Sequence, residues 1–269
     1  MPSLTVGLLT LLAVMTRRRF HAPPAAFTAD KQSLALSLEE TRHLRDVLRL
    51  HAGDEIYVFD GAGSEFHCAV ETIGKNSTDV RVVSEVEPAR PESPLNLTLA
   101  IALLKGEKFD LVIQKATELG VSRMIPLDTD RSDVRLSDER EEKRVARWRR
   151  IALEAAKQAG RAFVPEVTSP LSLISLVITA GQDVNSESTR LMFAERSGTS
   201  LEEATESFAE RPTEICALVG PEGGWTDEEI ESARVNNCRI VTLGGRTLRA
   251  ETAGLVVVTL LQHRFGDLV

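Results

Sequence analysis

Leu218-Val-Gly-Pro-Glu-Gly-Gly-Trp-Thr-Asp-Glu-Glu-Ile230 and Leu243-Gly-Gly-Arg-Thr-Leu-Arg-Ala-Glu-Thr-Ala-Gly254 decide the reading of this chain. Each follows a short apolar run, Ile215–Val219 in one case and Arg239–Leu243 in the other, and each precedes a helical pattern. Both therefore read as strand, glycine-rich loop, helix start. Ligands of α/β sheets sit just outside the carboxyl ends of the strands. Two such loops predict a small-molecule pocket built largely from backbone, because glycines let a ligand approach the main chain and proline fixes the turn. Thr226-Asp-Glu-Glu229 predicts a capping box, with Thr226 as N-cap and Glu229 reaching back. That helix start is acidic and satisfied by its own side chains, so it repels phosphate. No Gly-Lys-Ser/Thr and no GxGxxG stands here, which sets aside a P-loop and a dinucleotide fingerprint.

Working outward, the strand–helix alternation extends upstream. Leu95, Leu97, Leu99, Ile101 and Leu103 alternate as a strand, and Lys108 to Leu119 has a helical apolar face stopped by Gly120. Arg123–Asp128 reads as a strand, Asp138–Ala159 as a long helix closed by Gly160, and Arg190–Ala194 as another strand. This half is α/β with a largely parallel sheet. Pro88, Pro91 and Pro94 make a stiff connector ahead of it. The residues before that connector form shorter, alternating segments: Gly53–Gly61, Phe66–Ile73 and Asp79–Val86. They predict a small β-barrel interrupted by one helix over Ser37–Leu48. The expected domains are 15–88 and 94–269. Leu4–Val14 is an apolar run too short to span a bilayer, and it lacks the basic start of a signal peptide; residues 1–14 are set apart from the domains. They read as a tail or a misplaced start, with Met15 as an alternative beginning.

The 269 residues are 42% hydrophobic and 27% charged, which suits a globular protein with a sizeable core. Aromatics are only 4%, so that core is aliphatic. Cys68, Cys216 and Cys238 are odd in number and widely spaced, and no CxxC pair occurs. They read as reduced thiols of a cytoplasmic protein, with no zinc site and no other metal site. A net charge of −8 confines any nucleic-acid contact to a local basic face. The clearest such element is Arg17-Arg18-Arg19-Phe20, with Phe20 able to stack on a base. Arg42, Arg45 and Arg49 add charge at helical spacing, and Arg131 and Arg135 follow a strand end. Taken singly, each cluster also fits a solvated face. The run Arg144, Arg147, Arg149, Arg150 alternates with acids and reads as a salt-bridged helix.

Gly220-Pro-Glu-Gly-Gly224 together with Leu243-Gly-x-Arg-x-Leu-Arg-x-Glu-Thr-Ala253 resembles the RsmE family of small-subunit ribosomal RNA uridine-N3 methyltransferases. The likeness extends through Arg19-Phe20, His43-Leu-Arg-Asp-Val-Leu-Arg-Leu50 with Gly53-Asp54, and Phe59-Asp-Gly61. It continues in Lys105-Gly106, Gln114-Lys-Ala-Thr-Glu-Leu-Gly120, Arg131-Ser132, and Glu154-Ala-x-x-Gln158 with Arg161 and Pro165. The resemblance implies a PUA-like β-barrel followed by a SPOUT α/β domain whose C-terminus forms a trefoil knot. It implies S-adenosylmethionine as cofactor, 16S ribosomal RNA of the small ribosomal subunit as substrate, a homodimer, and no membrane. It places the cofactor on Leu218, Gly220, Pro221, Glu222, Gly223, Gly224, Leu243, Gly244, Leu248, Arg249, Thr252 and Ala253, with a third loop near Glu195. It tilts Arg17, Arg18, Arg19, Phe20, Arg45 and Arg131 toward RNA. His21, Gly245 and Thr247 depart from the common pattern and bear on fine specificity.

Methylation at uridine N3 requires loss of the N3 proton, which leaves negative charge on the carbonyl oxygens. A fixed guanidinium beside them stabilises it. Arg249 is the first candidate and Arg246 the second. Arginine stays charged and is a poor base. Glu251 is a candidate base, although a carboxylate at a helix N-terminus more commonly serves that terminus. Two other readings stay open here: a SPOUT-type methyltransferase acting on another RNA uridine, and a catalytically silent RNA-binding factor in ribosome assembly.

Overall fold

The computed structural model describes residues 17–132, 134, 138–182, 189–206, 208 and 210–268. The expectations for residues 1–14 and for Arg135 lie outside them. The chain divides into two compact units. One holds the described residues up to Glu92 together with Ala156–Val164; the other holds Ser93–Ala155 and the residues from Pro165 onward. A single cut at the proline connector therefore does not separate them, since the end of the long helix belongs with the first unit.

The first unit is a curled five-stranded sheet, a PUA-like half-barrel. Its strands are β1 (Arg19–His21), β2 (Ser33–Leu36), β3 (Glu55–Phe59), β4 (Glu65–Ile73) and β5 (Thr78–Val86), in the order β1-β3-β4-β5-β2. β1 runs parallel to β3, and the other pairs are antiparallel. Register shifts at His67/Cys68 and Val70/Thr72 bend β4 and help the sheet curl. The helix expected over Ser37–Leu48 is α1 (Leu38–Arg42), capped by Ser37 and continued as a wider π turn over His43–Val47. Phe20, Leu34, Leu36, Leu44, Ile56, Val58 and Phe66 fill the interior. Glu65 is fully buried. Arg17 (3.3 Å), Arg19 (3.1 Å) and the backbone N–H of Ala89 (2.8 Å) all donate to its carboxylate. Such partners are what a carboxylate out of water requires.

The second unit is built on an all-parallel sheet. Its strands are β6 (Asn96–Ala102), β7 (Arg123–Asp128), β8 (Glu166–Val167), β9 (Leu171–Ser172), β10 (Thr189–Phe193), β11 (Glu214–Val219) and β12 (Arg239–Val241). The order is β12-β10-β11-β6-β7-β8, with β9 also on β7. Helices α2 (Lys108–Glu118), α3 (Asp138–Ala159), α4 (Leu173–Gln182), α5 (Leu201–Glu206), α6 (Asp227–Val235) and α7 (Ala250–Phe265) connect them. Leu97, Leu99 and Ile101 of β6 face a core shared with Phe109, Trp148, Val257 and Leu261. Ala100 faces the other core, with Val177, Ile230 and Ala233. Burial on both faces explains the nearly continuous apolar runs of these strands.

The carboxyl end of the sheet is unusually wrapped. β12 pairs with β10 on one side, with Ala194 N–H donating to Val241 C=O. On the other side, Thr199 N–H donates to Ile240 C=O, and Thr242 N–H donates to Thr199 C=O. The loop leaving β10 thus passes around β12. The chain after β12 then returns to α7, which packs on α2, β6 and β11.

Candidate functional site

Three loops at the carboxyl ends of β10, β11 and β12 enclose a cavity of about 360 Å3. Phe193, Ala194 and Glu195 come from the first loop, Val219–Trp225 from the second, and Thr242–Leu248 with Ala250 and Ala253 from the third. Trp225 anchors the second loop. It is fully buried, and its indole Nε1 donates to Phe193 C=O at 2.9 Å, tying the second loop to the first. A Cβ on Gly220 would stand 2.9 Å from that indole, so Gly220 is required by close packing. Gly224 has φ +67°, and its Cβ would meet the Glu195 carboxylate at 2.6 Å. The following helix starts on the expected capping box of Thr226 and Glu229. Glu229 also accepts from the Asp130 backbone N–H at 3.1 Å, fastening the loop after β7 to α6.

Charged groups surround this frame in pairs. Arg131 donates to Gly223 C=O (3.1 Å) and Trp225 C=O (3.2 Å). Arg196 donates to Trp225 C=O (3.0 Å) and to Asp227 (2.8 Å), and it also pairs with Glu195. The Arg196 hydrogen bond holds the Asp227 carboxyl below the usual carboxylate range. Lys108 pairs with Glu222 and, at 3.4 Å, with Glu251. The bond to Glu222 raises the Lys108 ammonium above its ordinary value.

The cavity suits a ligand held mainly by backbone. Cβ atoms on Gly244 or Gly245 would meet nothing within 4 Å. Thr242 lines the wall, and its hydroxyl oxygen is buried without a hydrogen-bond partner among the described residues. That oxygen lies against Gly198, where an added Cβ would stand 2.8 Å from it.

Of the expected cofactor residues, Gly220, Pro221, Glu222, Gly223, Gly224, Leu243, Gly244, Leu248 and Ala253 line the cavity, as does Arg246. Leu218 is fully buried in the core and does not line it; nor do Arg249 and Thr252, both exposed. Arg249 is the N-cap of α7, between two cavity residues, and its side chain caps nothing. Glu251 is not on the wall either, and it pairs with Lys108 at 3.4 Å. Sequence reasoning missed Trp225, Thr242 and Lys108. The indole looks like part of an open loop, and the other two acquire meaning only through distant neighbours.

The RNA expectations divide sharply. Phe20 is corrected to a core residue: it is 0% exposed, and a ring without surface cannot stack on a base. Arg19 donates to Glu65, Lys157 C=O and Arg161 C=O, and Arg17 to Glu65 and Glu87 C=O, so both knit the first unit together. Arg45 pairs with Asp46, and Arg131 serves the glycine loop. Arg18 is exposed. Among the described residues there is no cluster suited to a metal ion and no helix long and apolar enough to cross a membrane. All three cysteines are buried and free, and burial pushes the Cys68 and Cys216 thiols up to about 12.

A parallel sheet with this wrapped carboxyl end, preceded by a curled sheet, is the architecture here, and the family models it matches are those of an RNA methyltransferase with a PUA domain. Residues 91–262 match an RNA methyltransferase domain, and residues 37–83 match an RNA methyltransferase PUA domain. The ribosomal RNA small subunit methyltransferase E of Synechocystis is 35% identical over 250 residues, covering 91% of this chain and 77% of that one. The protein of the same description from Bacillus subtilis is 31% identical, covering 86% and 90%. The crystal structure of ribosomal RNA small subunit methyltransferase E from Neisseria gonorrhoeae, bound to S-adenosyl methionine, is also similar. It superposes with a TM-score of 0.80 at 33% identity, covering 94% of this chain and 100% of that one. The chain belongs to the ribosomal RNA small subunit methyltransferase E family.

Proposed function

We propose that this protein methylates N3 of a uridine in 16S ribosomal RNA of the small ribosomal subunit, with S-adenosylmethionine held in the three-loop cavity. The observation that carries the reading is the cavity itself: walls of backbone at the carboxyl ends of three parallel strands, with open space at Gly244 and Gly245. The relative bound to that same cofactor supports it. Gly220–Gly224, Leu243, Gly244, Leu248 and Ala253 would hold the cofactor, with Thr242, Glu195 and Trp225 added to that set. Leu218, Arg249 and Thr252 would act from just behind or beside the wall.

When bound, the cofactor supplies the electrophilic methyl group. The chain's own contribution is alignment and charge. Arg249 stands at the rim with no side-chain capping duty, and Arg246 lines the cavity. Either guanidinium would stabilise the negative charge left on the uracil oxygens as the N3 proton departs. On the RNA side, the exposed Arg18 is the residue of the N-terminal run left to meet phosphate.

The passage of the β10 loop around β12 supports a trefoil knot at the C-terminus. Half-exposed Leu255 and Val256, with exposed Leu260 on α7 and Leu111 on α2, support a homodimer that covers this apolar face. A 16S ribosomal RNA substrate supports a cytoplasmic location. The test is transfer of radiolabelled methyl groups into purified small subunits, then nucleoside analysis. Label in 3-methyluridine of 16S RNA is expected. Label in another nucleoside would overturn the assignment, and RNA binding without any transfer would favour the silent assembly factor.

A further inference from the structure

Lys108 opens α2, far in sequence from the cavity loops and outside the residues that line the cavity. Its ammonium nonetheless reaches one wall residue of the cavity and the helix that follows the third loop. It pairs with Glu222, in the glycine loop after β11, and with Glu251, in the first turn of α7 after the β12 loop. Glu222 lines the cavity and its side chain is 43% exposed. Glu251 is only 14% exposed, and its second carboxylate oxygen is buried with no hydrogen-bond partner among the described residues. Two carboxylates thus converge on one cation. Without that cation they would repel each other across the gap between two loops that must stay adjacent for the cavity to exist. Nearby Arg131 and Arg196 are occupied elsewhere, on Gly223, Trp225 and Asp227. Neither reaches the Glu222–Glu251 pair.

We infer that Lys108 is a positioning residue that clamps the second and third cofactor loops together, through Glu222 and Glu251, before the cofactor enters. The inference rests on the cavity being the S-adenosylmethionine site. Its chemistry is electrostatic, with no step in methyl transfer assigned to Lys108. A clamp of this kind acts on cofactor binding and leaves the chemical step alone once the site is filled. That separates it from a purely structural lysine, whose loss would lower the melting temperature without a selective effect on cofactor affinity.

The experiment compares Lys108→Met, Lys108→Arg, Glu251→Gln and the Lys108→Met/Glu251→Gln double variant in the full chain. Cofactor dissociation constants come from calorimetry, and kcat and cofactor KM from methyl transfer. Lys108→Met is expected to weaken S-adenosylmethionine binding and raise its KM by roughly three- to tenfold, the scale of two partly exposed ion pairs, with kcat at saturation within about twofold. Lys108→Arg should restore most of the affinity. The double variant should bind better than the product of the two single losses predicts, because Gln removes the repulsion that Met leaves uncompensated. Unchanged affinity in Lys108→Met, equal failure of Arg and Met, strict additivity, or a fall confined to kcat would each overturn the clamp. Lys108→Gln takes the place of Met in the same cycle where the Met variant does not fold. Gly245→Leu tests the cavity separately. Normal cofactor binding in that variant overturns the site, while lost binding there with unaffected Lys108→Met overturns only the clamp.

Discussion

The glycines of the two loops fall into two physical kinds, and one substitution separates them. At Gly220 a Cβ would strike the Trp225 indole at 2.9 Å, at Gly224 it would strike Glu195, and at Gly223 it would press on Arg131 at 3.2 Å. Substitutions there disturb the protein before they disturb any ligand. At Gly245 a Cβ meets nothing within 4 Å, φ lies outside the left-handed region, and the residue lines the cavity. Gly245→Leu should therefore leave the fold intact and fill ligand space. An exposed position free of contacts shifts stability by about 0.5 kcal/mol or less, roughly 2 °C in melting temperature for a chain of this size. The cavity of about 360 Å3 is near the lower end of ordinary ligand pockets, so it has little slack to absorb a leucine. Overfilling a packed site costs about 1–3 kcal/mol, or roughly 5- to 150-fold in affinity. Calorimetry with S-adenosylmethionine and a thermal melt are the assays. Undiminished affinity refutes the placement of the ligand. Lost affinity with a melting temperature several degrees lower refutes the claim that Gly245 is free of structural duty.

Arg249→Ala should keep its fold while methyl transfer at saturating cofactor falls by roughly 100-fold or more, the usual cost of removing a charge-stabilising donor; undiminished turnover removes it from catalysis. Phe20→Ala should destabilise the protein by about 3–5 kcal/mol as a core truncation, read by urea unfolding, whereas Arg18→Ala should leave stability unchanged and lower RNA affinity and its salt dependence. The reverse pattern would restore Phe20 to the RNA surface. Burial, reinforced by the Lys157 charge, holds His21 below its ordinary value of 6.5. The unfolded chain then takes up that proton first, so this contribution to stability is lost as pH falls through the ordinary histidine value of about 6.5, and His21→Phe should flatten the slope there in denaturant titrations.

What the sequence made legible was whatever is enforced locally. The Thr226–Glu229 capping box, the long helix Asp138–Ala159 and the strands before each glycine loop follow from neighbours a few residues apart. What stayed hidden was set by the third dimension. Arg17-Arg-Arg-Phe20 has the composition of a nucleic-acid patch. β1 covers only Arg19 and Phe20 of it, too little for period-two alternation to announce that Phe20 points inward. The same limit hid the short helices Leu173–Gln182 and Leu201–Glu206, and the return of Ala156–Val164 to the first unit.

The candidate site shows the same division at closer range. Glycine betrays a loop in sequence because no side chain is there, but it does not say why. Gly220 makes room for an indole that the protein supplies itself, whereas Gly245 makes room for nothing the protein supplies. Only the second kind is a statement about a ligand, and the two are indistinguishable as letters. The charges behave likewise. Arg131, Arg196 and Lys108 are three cations beside one cavity, in a chain whose net charge is −8. Each is directed at the loops: two hold backbone carbonyls, and the third holds the facing carboxylates of Glu222 and Glu251. Their charge is thus spent on keeping glycine-rich backbone, the least ordered kind of chain, in one conformation. On the proposed reading Arg246 and Arg249 are left for the nucleic acid and the reaction, so substitutions in the two groups should separate cofactor affinity from turnover.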